Sequence, residues 1–419
     1  MNIREKIEQA NQEVMKIMLE GQPTWVDVQP AGDVIPNMQK NMILYAGPVI
    51  AADQIVKPVR VAISGAAVHD GLAKDMQEAW QKVLAGEIVI DSGQNYGCAC
   101  GAAMAVSASM PVIVVRDTLT GACGFCTPHP GGKREVLRWG YYDDTIEADL
   151  CWFRDVFCPA LGAAVRHQGG INLKEILART AGMGDENHTR QPASSMACNM
   201  LLISALTEVD VPQRDEVIRV LAANDRFFLH IMMAGVQSCT MAMKQVPYST
   251  VLAGLGGNGV ELGIQVSGMG NQWFTAPAPK ILGMFINPTW TEDDILGFLG
   301  DSCVTEVYGL GGFSAIAGPA YVLMTGGTFE EARRRSDCAR SLSLGEHRFA
   351  PVPWDEGKGL PVGIDVRRVV ALNKTPISHG GSTLKDGGQG GSGCAVLPME
   401  MFKGALAALG QKAMEDNAE

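Results

Sequence analysis

Gly254-Leu255-Gly256-Gly257-Asn258-Gly259 opens the stretch whose reading decides the fold. It runs on through Gln272-Trp273-Phe274-Thr275-Ala276-Pro277 and closes on Tyr308-Gly309-Leu310-Gly311-Gly312-Phe313. Gly-Leu-Gly-Gly stands at both ends, near Asn258 and Glu261 in the first copy and after Asp301, Thr305 and Glu306 in the second. Without Cβ atoms, such a segment lets backbone N–H groups face a ligand. The plainer alternative is a pair of tight turns between buried strands. A third glycine-rich segment, Gly380-Gly381 with Gly387-Gly388-Gln389-Gly390-Gly391, favours a binding site built from loops.

The flanking sequence sets the architecture. Ile3, Ile7, Val14, Ile17 and Met18 recur at helical spacing up to Glu20. Trp25-Val26-Asp27-Val28 alternates like a short strand, while Val59 to Ile63 fits either a strand or a helix begun at Pro58. Leu72, Met76, Trp80, Val83 and Leu84 mark a helix between short apolar strands at Ile88–Ile90 and Val112–Val115. The period turns helical from Asp144 to Lys244, with Asn172 and Pro212 at helix starts. Beyond it, Thr291 with Asp294 and Thr328 with Glu331 begin further helices, and Arg333 to Arg335 read as a solvated face. Gly363 to Val370 reads as a strand with Asp365 and Arg367 on one face. The expected fold is α/β and α+β multidomain: an N-terminal α/β domain (1–143), a helical middle block (144–245) and a glycine-rich C-terminal α+β domain (246–419).

Composition limits the function. A chain of 419 residues, 47% hydrophobic and 19% charged, suits a folded protein of two or three domains. The net charge of −11 argues against nucleic acid or an anionic membrane as partner, though not against a small anionic substrate held by local arginines. Met1-Asn2-Ile3-Arg4-Glu5-Lys6 is no secretory signal, so a cytoplasmic location is expected. Cys98, Cys100, Cys123 and Cys126 suggest a zinc or iron–sulfur site, yet C-x-C with C-x-x-C matches no common knuckle. The eleven cysteines are therefore expected to be reduced, with no metal and no cofactor. One polar knot stands out, Gly184-Asp185-Glu186-Asn187-His188-Thr189-Arg190. It reads either as a solvated interhelical loop or as acid–base and anion-binding groups gathered together.

Several segments carry a resemblance: Ile43-Leu44-Tyr45-Ala46-Gly47-Pro48, Met183-Gly184-Asp185-Glu186, Asn224-Asp225-Arg226-Phe227-Phe228-Leu229, Trp273-Phe274-Thr275-Ala276-Pro277-Ala278, Gly300-Asp301-Ser302 and Gly363-Ile364-Asp365-Val366-Arg367. In this order they resemble the YlbE/YahG family of bacterial proteins encoded beside FdrA. One branch of that family is the AllG-type subunit of oxamate carbamoyltransferase. The resemblance implies carbamoyl transfer between carbamoyl phosphate and oxamate, in purine (allantoin) catabolism, with FdrA-type and AllH-type subunits as partners and a homo-oligomer besides. The alternative is a non-catalytic assembly or ligand-binding subunit.

Site roles follow from chemistry alone. Carbamoyl transfer needs a phosphate cradle, donors for the developing oxyanion and a grip on the acceptor carboxylate. Gly256, Gly257, Asn258, Gly259, Gly311 and Gly312 offer the first two, with Thr275, Asp301, Thr305 and Glu306 beside them. Arg190 and Arg367 are the expected carboxylate clamps. His188, with Asp185 and Glu186, is the expected proton-transfer group.

Overall fold

The first glycine segment lies in a strand, Leu252–Asn258, that is buried along its whole length. The expected loop is thus corrected, and the reason is packing on both sides. A Cβ on Gly256 would overlap the Asp301 carboxylate and come within 2.6 Å of Gln94 Nε2; one on Gly257 would overlap the Phe298 carbonyl. Gly47 crosses the same strand with φ +78°, and a Cβ there would sit 2.5 Å from the Gly257 carbonyl carbon. Backbone meets backbone at this crossing, which only glycine permits. The expected meeting of this segment with Asp301 is therefore real, but solidly packed.

The computed structural model describes residues 2–129 and 136–415. The strand Leu252–Asn258 pairs antiparallel with Glu261–Val266 and Leu299–Gly300 in a four-stranded sheet completed by Phe274–Pro277. A five-stranded sheet runs in the order Cys98–Ala99, Cys123–Cys126, Pro111–Asp117, Pro23–Pro30, Ile171–Asn172. Helix Phe228–Met243 lies on that sheet so closely that a Cβ on Gly124 would overlap its Ala234 carbonyl. A three-stranded sheet holds Met42–Tyr45 between Val89–Ser92 and Ala105–Val106. A second three-stranded sheet places Gln389–Val396 between Leu282–Phe285 and Ile377–Thr383, and Ser343–Val352 pairs with Lys358–Ile364. The result is a multidomain α+β fold with one main core threading its parts. No helix among the described residues is long and apolar enough to cross a membrane.

Local sequence explains most elements. Asn2 and Glu5 form a reciprocal capping box at helix Ile3–Glu20, which buries Val14, Ile17 and Met18. Its Asn11 carboxamide accepts from Thr250 N (2.9 Å), tying the first helix to the entry of the glycine strand. The regular elements of 144–245 are helices joined by loops, except for the short strand Ile171–Asn172, which pairs with Trp25 and Thr24 at the edge of the five-stranded sheet. Val59 to Ile63 is helical, inside Lys57–His69.

Three local readings are corrected. The strand at Gly363 stops at Ile364; Asp365 caps a helix, Val366–Leu372, by accepting from Arg367 N (2.9 Å). An Asp in the N-cap position thus outweighs the β-branched run behind it. Thr291 and Asp294 make both capping bonds, but around a single turn, Glu292–Asp294. Arg335 is not solvated: it is buried, bonded to Glu331 and 3.3 Å from His379 Nε2.

The crossing at Gly256 generates a prediction. Gly256→Ala should destabilise the fold by about 1–3 kcal/mol through overpacking. Gly410→Ala, in helix Met399–Glu415 with open space around it, should be neutral or stabilising by up to ~1 kcal/mol. Urea melts of the two variants make the comparison; equal midpoints would contradict the packing.

Candidate active site

The polar knot is folded by its own carboxylates. Glu186 accepts from the backbone N–H groups of His188 (3.1 Å), Thr189 (2.7 Å) and Arg190 (2.7 Å), and from the Thr189 hydroxyl. Asp185 accepts from Ser194 N (2.7 Å) at the start of helix Pro192–Glu208. Burial pushes both carboxyls above their usual range, partly offset by these bonds. With the loop pinned, the His188 imidazole projects from it, itself buried.

A second segment meets it. After Leu299–Gly300, buried Asp301 accepts from Gly47 N (2.9 Å), Gln94 Nε2 (2.7 Å) and Cys100 N (3.0 Å). Burial raises its pKa to about 7 against those bonds; buried Lys244 is lowered to about 7 and donates to Gln94 O (2.9 Å). The anchored Asp301 presents Ser302, whose Oγ lies 2.9 Å from His188 Nε2. His188 Nδ1 lies 3.0 Å from Glu306 Oε1, in a fully buried side chain on the short helix Val304–Val307. Oε1 also accepts from Gly312 N (2.8 Å) and His379 N (2.8 Å). Two N–H donors on that oxygen mark it as an acceptor. The imidazole proton is accordingly assigned to Nδ1, leaving Nε2 to accept from the Ser302 hydroxyl.

Ser302 and His188 open onto a cavity of about 180 Å³. Its walls include Arg138, Arg226, His129, His230, Tyr321 and the backbone of Gly380–Gly381. No carboxylate lines it among the described residues. Burial, then His230 and Arg138, hold His129 well below the usual imidazole range. Burial likewise brings His230 down to about 4, although its Nδ1 donates to Thr127 O (2.7 Å). His129 and His230 are therefore neutral at pH 7, and the positive charge on this side of the cavity belongs to Arg138, bonded to His129, and to Arg226, which is largely exposed and 4.0 Å from Asp225. Asn224 sets Arg226 by accepting from its backbone N–H (3.0 Å) while donating to His129 O (2.8 Å). A larger groove, about 950 Å³, lies by Lys174 and Arg340, but those cations already bond Leu19 O, Gly21 O and Asp355.

The expected site residues divide accordingly. His188, Glu306, Gly311 and Gly312 come together: Gly311, at φ +60°, admits the pair, since a Cβ there would sit 2.9 Å from His188 Cβ. Asp301 and Thr305 frame Ser302, Thr305 by donating to its carbonyl (2.9 Å). Asp185 and Glu186 shape the loop without lining the cavity. Gly256, Gly257, Asn258 and Gly259 do not line it either, and Asn258 instead bonds Pro48 O (2.9 Å). Thr275 is exposed on its strand. Arg190 is exposed outside the cavity. Arg367 is held elsewhere by Asp365 (2.7 Å) and Glu8 (2.8 Å).

Ser302, Arg138, Arg226, His129 and His230 were not among the expected site residues. Ser302 and Arg226 did fall in the segments carrying the family resemblance, the one signal that pointed to them. The four clustered cysteines do not form a ligand set among the described residues. Hydrogen bonding to Cys98 and burial push the Cys100 thiol up, and burial does so for Cys126. The ligand atoms that do gather belong to His69, Glu147 and Cys151, where His69 Nδ1 is already bonded to Glu147 (3.0 Å).

Fold and cavity together define a class: a multidomain α+β protein whose cavity, opening to solvent at Arg226, sets two guanidinium groups beside a Ser–His–Glu chain of hydrogen bonds. The chain belongs to the family described as oxamate carbamoyltransferase subunit AllG, whose profile matches residues 88–302. It is 34% identical over 412 residues to the uncharacterized protein YahG of Escherichia coli (strain K12), covering 96% of this chain and 86% of that protein. It is 32% identical over 413 residues to the oxamate carbamoyltransferase subunit AllG of the same organism, covering 97% and 98%. The crystal structure of a conserved protein of unknown function from Enterococcus faecalis V583 superposes with a TM-score of 0.93 at 32% identity, over 97% of this chain and 98% of that one.

The neutral cavity histidines make a pH prediction. The folded pKa of His230, about 4, lies below the ordinary 6.5. A depressed value contributes stability that is complete above pH 6.5 and is lost as pH falls toward 4. The stability difference between the parent and His230→Phe should therefore shrink over that window, by at most roughly 1.4 kcal/mol per pH unit. Chemical melts at several pH values measure it, and a difference independent of pH would refute the neutral assignment.

Proposed function

We propose that this chain is a subunit of a carbamoyltransferase and that the cavity at Ser302 and His188 is its transfer site. The reaction is that of carbamoyl phosphate with oxamate to give oxalurate and phosphate, in either direction. The observation that carries the reading is the pair of guanidinium groups, Arg138 and Arg226, in a cavity without a lining carboxylate among the described residues. Both substrates are small anions, and planar guanidinium groups suit phosphate and carboxylate alike. His188 is the base for the proton that the oxamate nitrogen loses when it becomes bonded to the carbamoyl carbon. The AllG relative is named as a subunit, and FdrA-type and AllH-type chains are the proposed partners.

A second reading, assembly without catalysis, draws on one surface. Leu282, Met284 and Ile286 share a face of an edge strand and its continuation, and all three are exposed. Exposed Val396 lies on the neighbouring strand, and exposed Met324 reaches the cavity wall. An apolar edge of this kind suits a partner subunit.

The two readings separate experimentally. Arg138→Ala and Arg226→Ala should each weaken carbamoyl phosphate or oxamate binding about tenfold or more by calorimetry. Arg367→Ala, bonded within its own helix start and to Glu8, should bind like the parent. Binding unchanged in both cavity variants would remove the transfer-site reading. Met284→Asp with Ile286→Asp should release the partner subunits on co-purification while leaving ligand binding intact.

A further inference from the structure

Ser302 stands between the buried base and the cavity. His188 reaches the open space with its Nε2 lone pair directed at Ser302 Oγ, 2.9 Å away. Its other nitrogen is held by Glu306, which Gly312 N and His379 N hold in turn. Ser302 itself rides on Asp301, fixed by three donors, and its carbonyl is engaged by Thr305. A histidine merely satisfied in the core needs no serine at a cavity wall. Nor does it need Gly311 and Gly312, whose added Cβ atoms would crowd Glu306 and His188 or overlap the Ile377 carbonyl. This is the arrangement of an activated hydroxyl: nucleophile, base and a carboxylate that orients the base.

We infer that Ser302 is a nucleophile that carries the transferred group as an ester between the two half-reactions. The identity of that group as carbamoyl rests on the proposed function; the nucleophile does not. In the first half, Ser302 Oγ bonds to the carbonyl carbon of carbamoyl phosphate. Its proton passes to His188 Nε2, the carbon–oxygen bond to phosphate breaks, and phosphate leaves with that electron pair, taking the proton from His188. Arg138 and Arg226 balance its charge. In the second half, the oxamate amide nitrogen bonds to the carbamoyl carbon and gives its proton to His188. The ester bond to Oγ breaks, and Oγ regains a proton from His188. Donor and acceptor then use one set of anion contacts in turn, so the small cavity need not hold both at once.

The test has two arms, run on the full chain alone and co-purified with its partner subunits. In the first, a fluorophosphonate probe is added and the labelled peptide is mapped by mass spectrometry. Label on Ser302, absent in Ser302→Ala, is expected. Glu306→Gln, which keeps an oxygen facing Nδ1 but removes the negative charge that stabilises the imidazolium, should slow labelling about tenfold or more. In the second arm, carbamoyl phosphate is mixed with the protein and quenched in acid, and a carbamoyl adduct on the Ser302 peptide is expected. Phosphonate label without a carbamoyl adduct would uphold the nucleophile and remove the carbamoyl assignment. No label on parent Ser302 in either arm, or labelling as fast in Glu306→Gln as in the parent, would overturn the inference.

Discussion

One carboxylate oxygen, Glu306 Oε1, accepts from three donors drawn from three distant parts of the chain: Gly312 N, His379 N and His188 Nδ1. The side chain is fully buried, so an unmet bond there carries the full desolvation cost of a polar group. The loop at 184–190, the glycine turn at 309–312 and the strand Ile377–Thr383 must all arrive for that oxygen to be satisfied. The same convergence encloses the cavity, because His188 and Gly380–Gly381 are among its walls. Satisfying that oxygen and assembling the site are thus a single event.

A second buried carboxylate does the complementary task. Asp301 joins Gly47, Gln94 and Cys100, which lie just past the ends of strands in the N-terminal sheets, to the segment that bears Ser302. Gln94 continues the link to Leu255 O (2.9 Å) in the glycine strand and accepts from Lys244. Burial draws the pKa values of Asp301 and Lys244 toward each other, the acid upward and the base downward. Charge behind Ser302, outside the cavity lining, is thereby reduced.

What the sequence made legible follows from the range of the forces involved. Helix Ile3–Glu20 announces itself through spacing and a cap, both local, and Val112–Val115 falls within its strand as read. Asp365 was misjudged because the β-branched residues after it outweighed a capping signal of a single residue. Glycines are depleted in strands, so Leu252–Asn258 looked like a loop; what makes it a strand is the backbone of remote segments on both sides. The site shows the same division. His188 drew attention because acids and a base crowd around it in sequence. Ser302, 114 residues away, gave no such cue, and Glu306, 118 residues away, was marked by its glycine-rich neighbourhood rather than as the partner of His188. Arg367 looked available because its neighbour Asp365 was read as sharing a strand face with it rather than as its ion-pair partner, and Glu8, remote in sequence, gave no cue.

The crossing of Gly47 over Gly256 and Gly257 has a mechanical consequence. Between most packed layers, side chains act as compliant spacers that take up small displacements by changing rotamer. Here two main chains touch with nothing between them, and the Asp301 carboxylate is wedged into the same contact. A shift of either strand therefore has no cushion to absorb it and passes undiminished to the residue after Asp301. The position of the Ser302 hydroxyl is set by the stiffest material in the molecule, its own backbone.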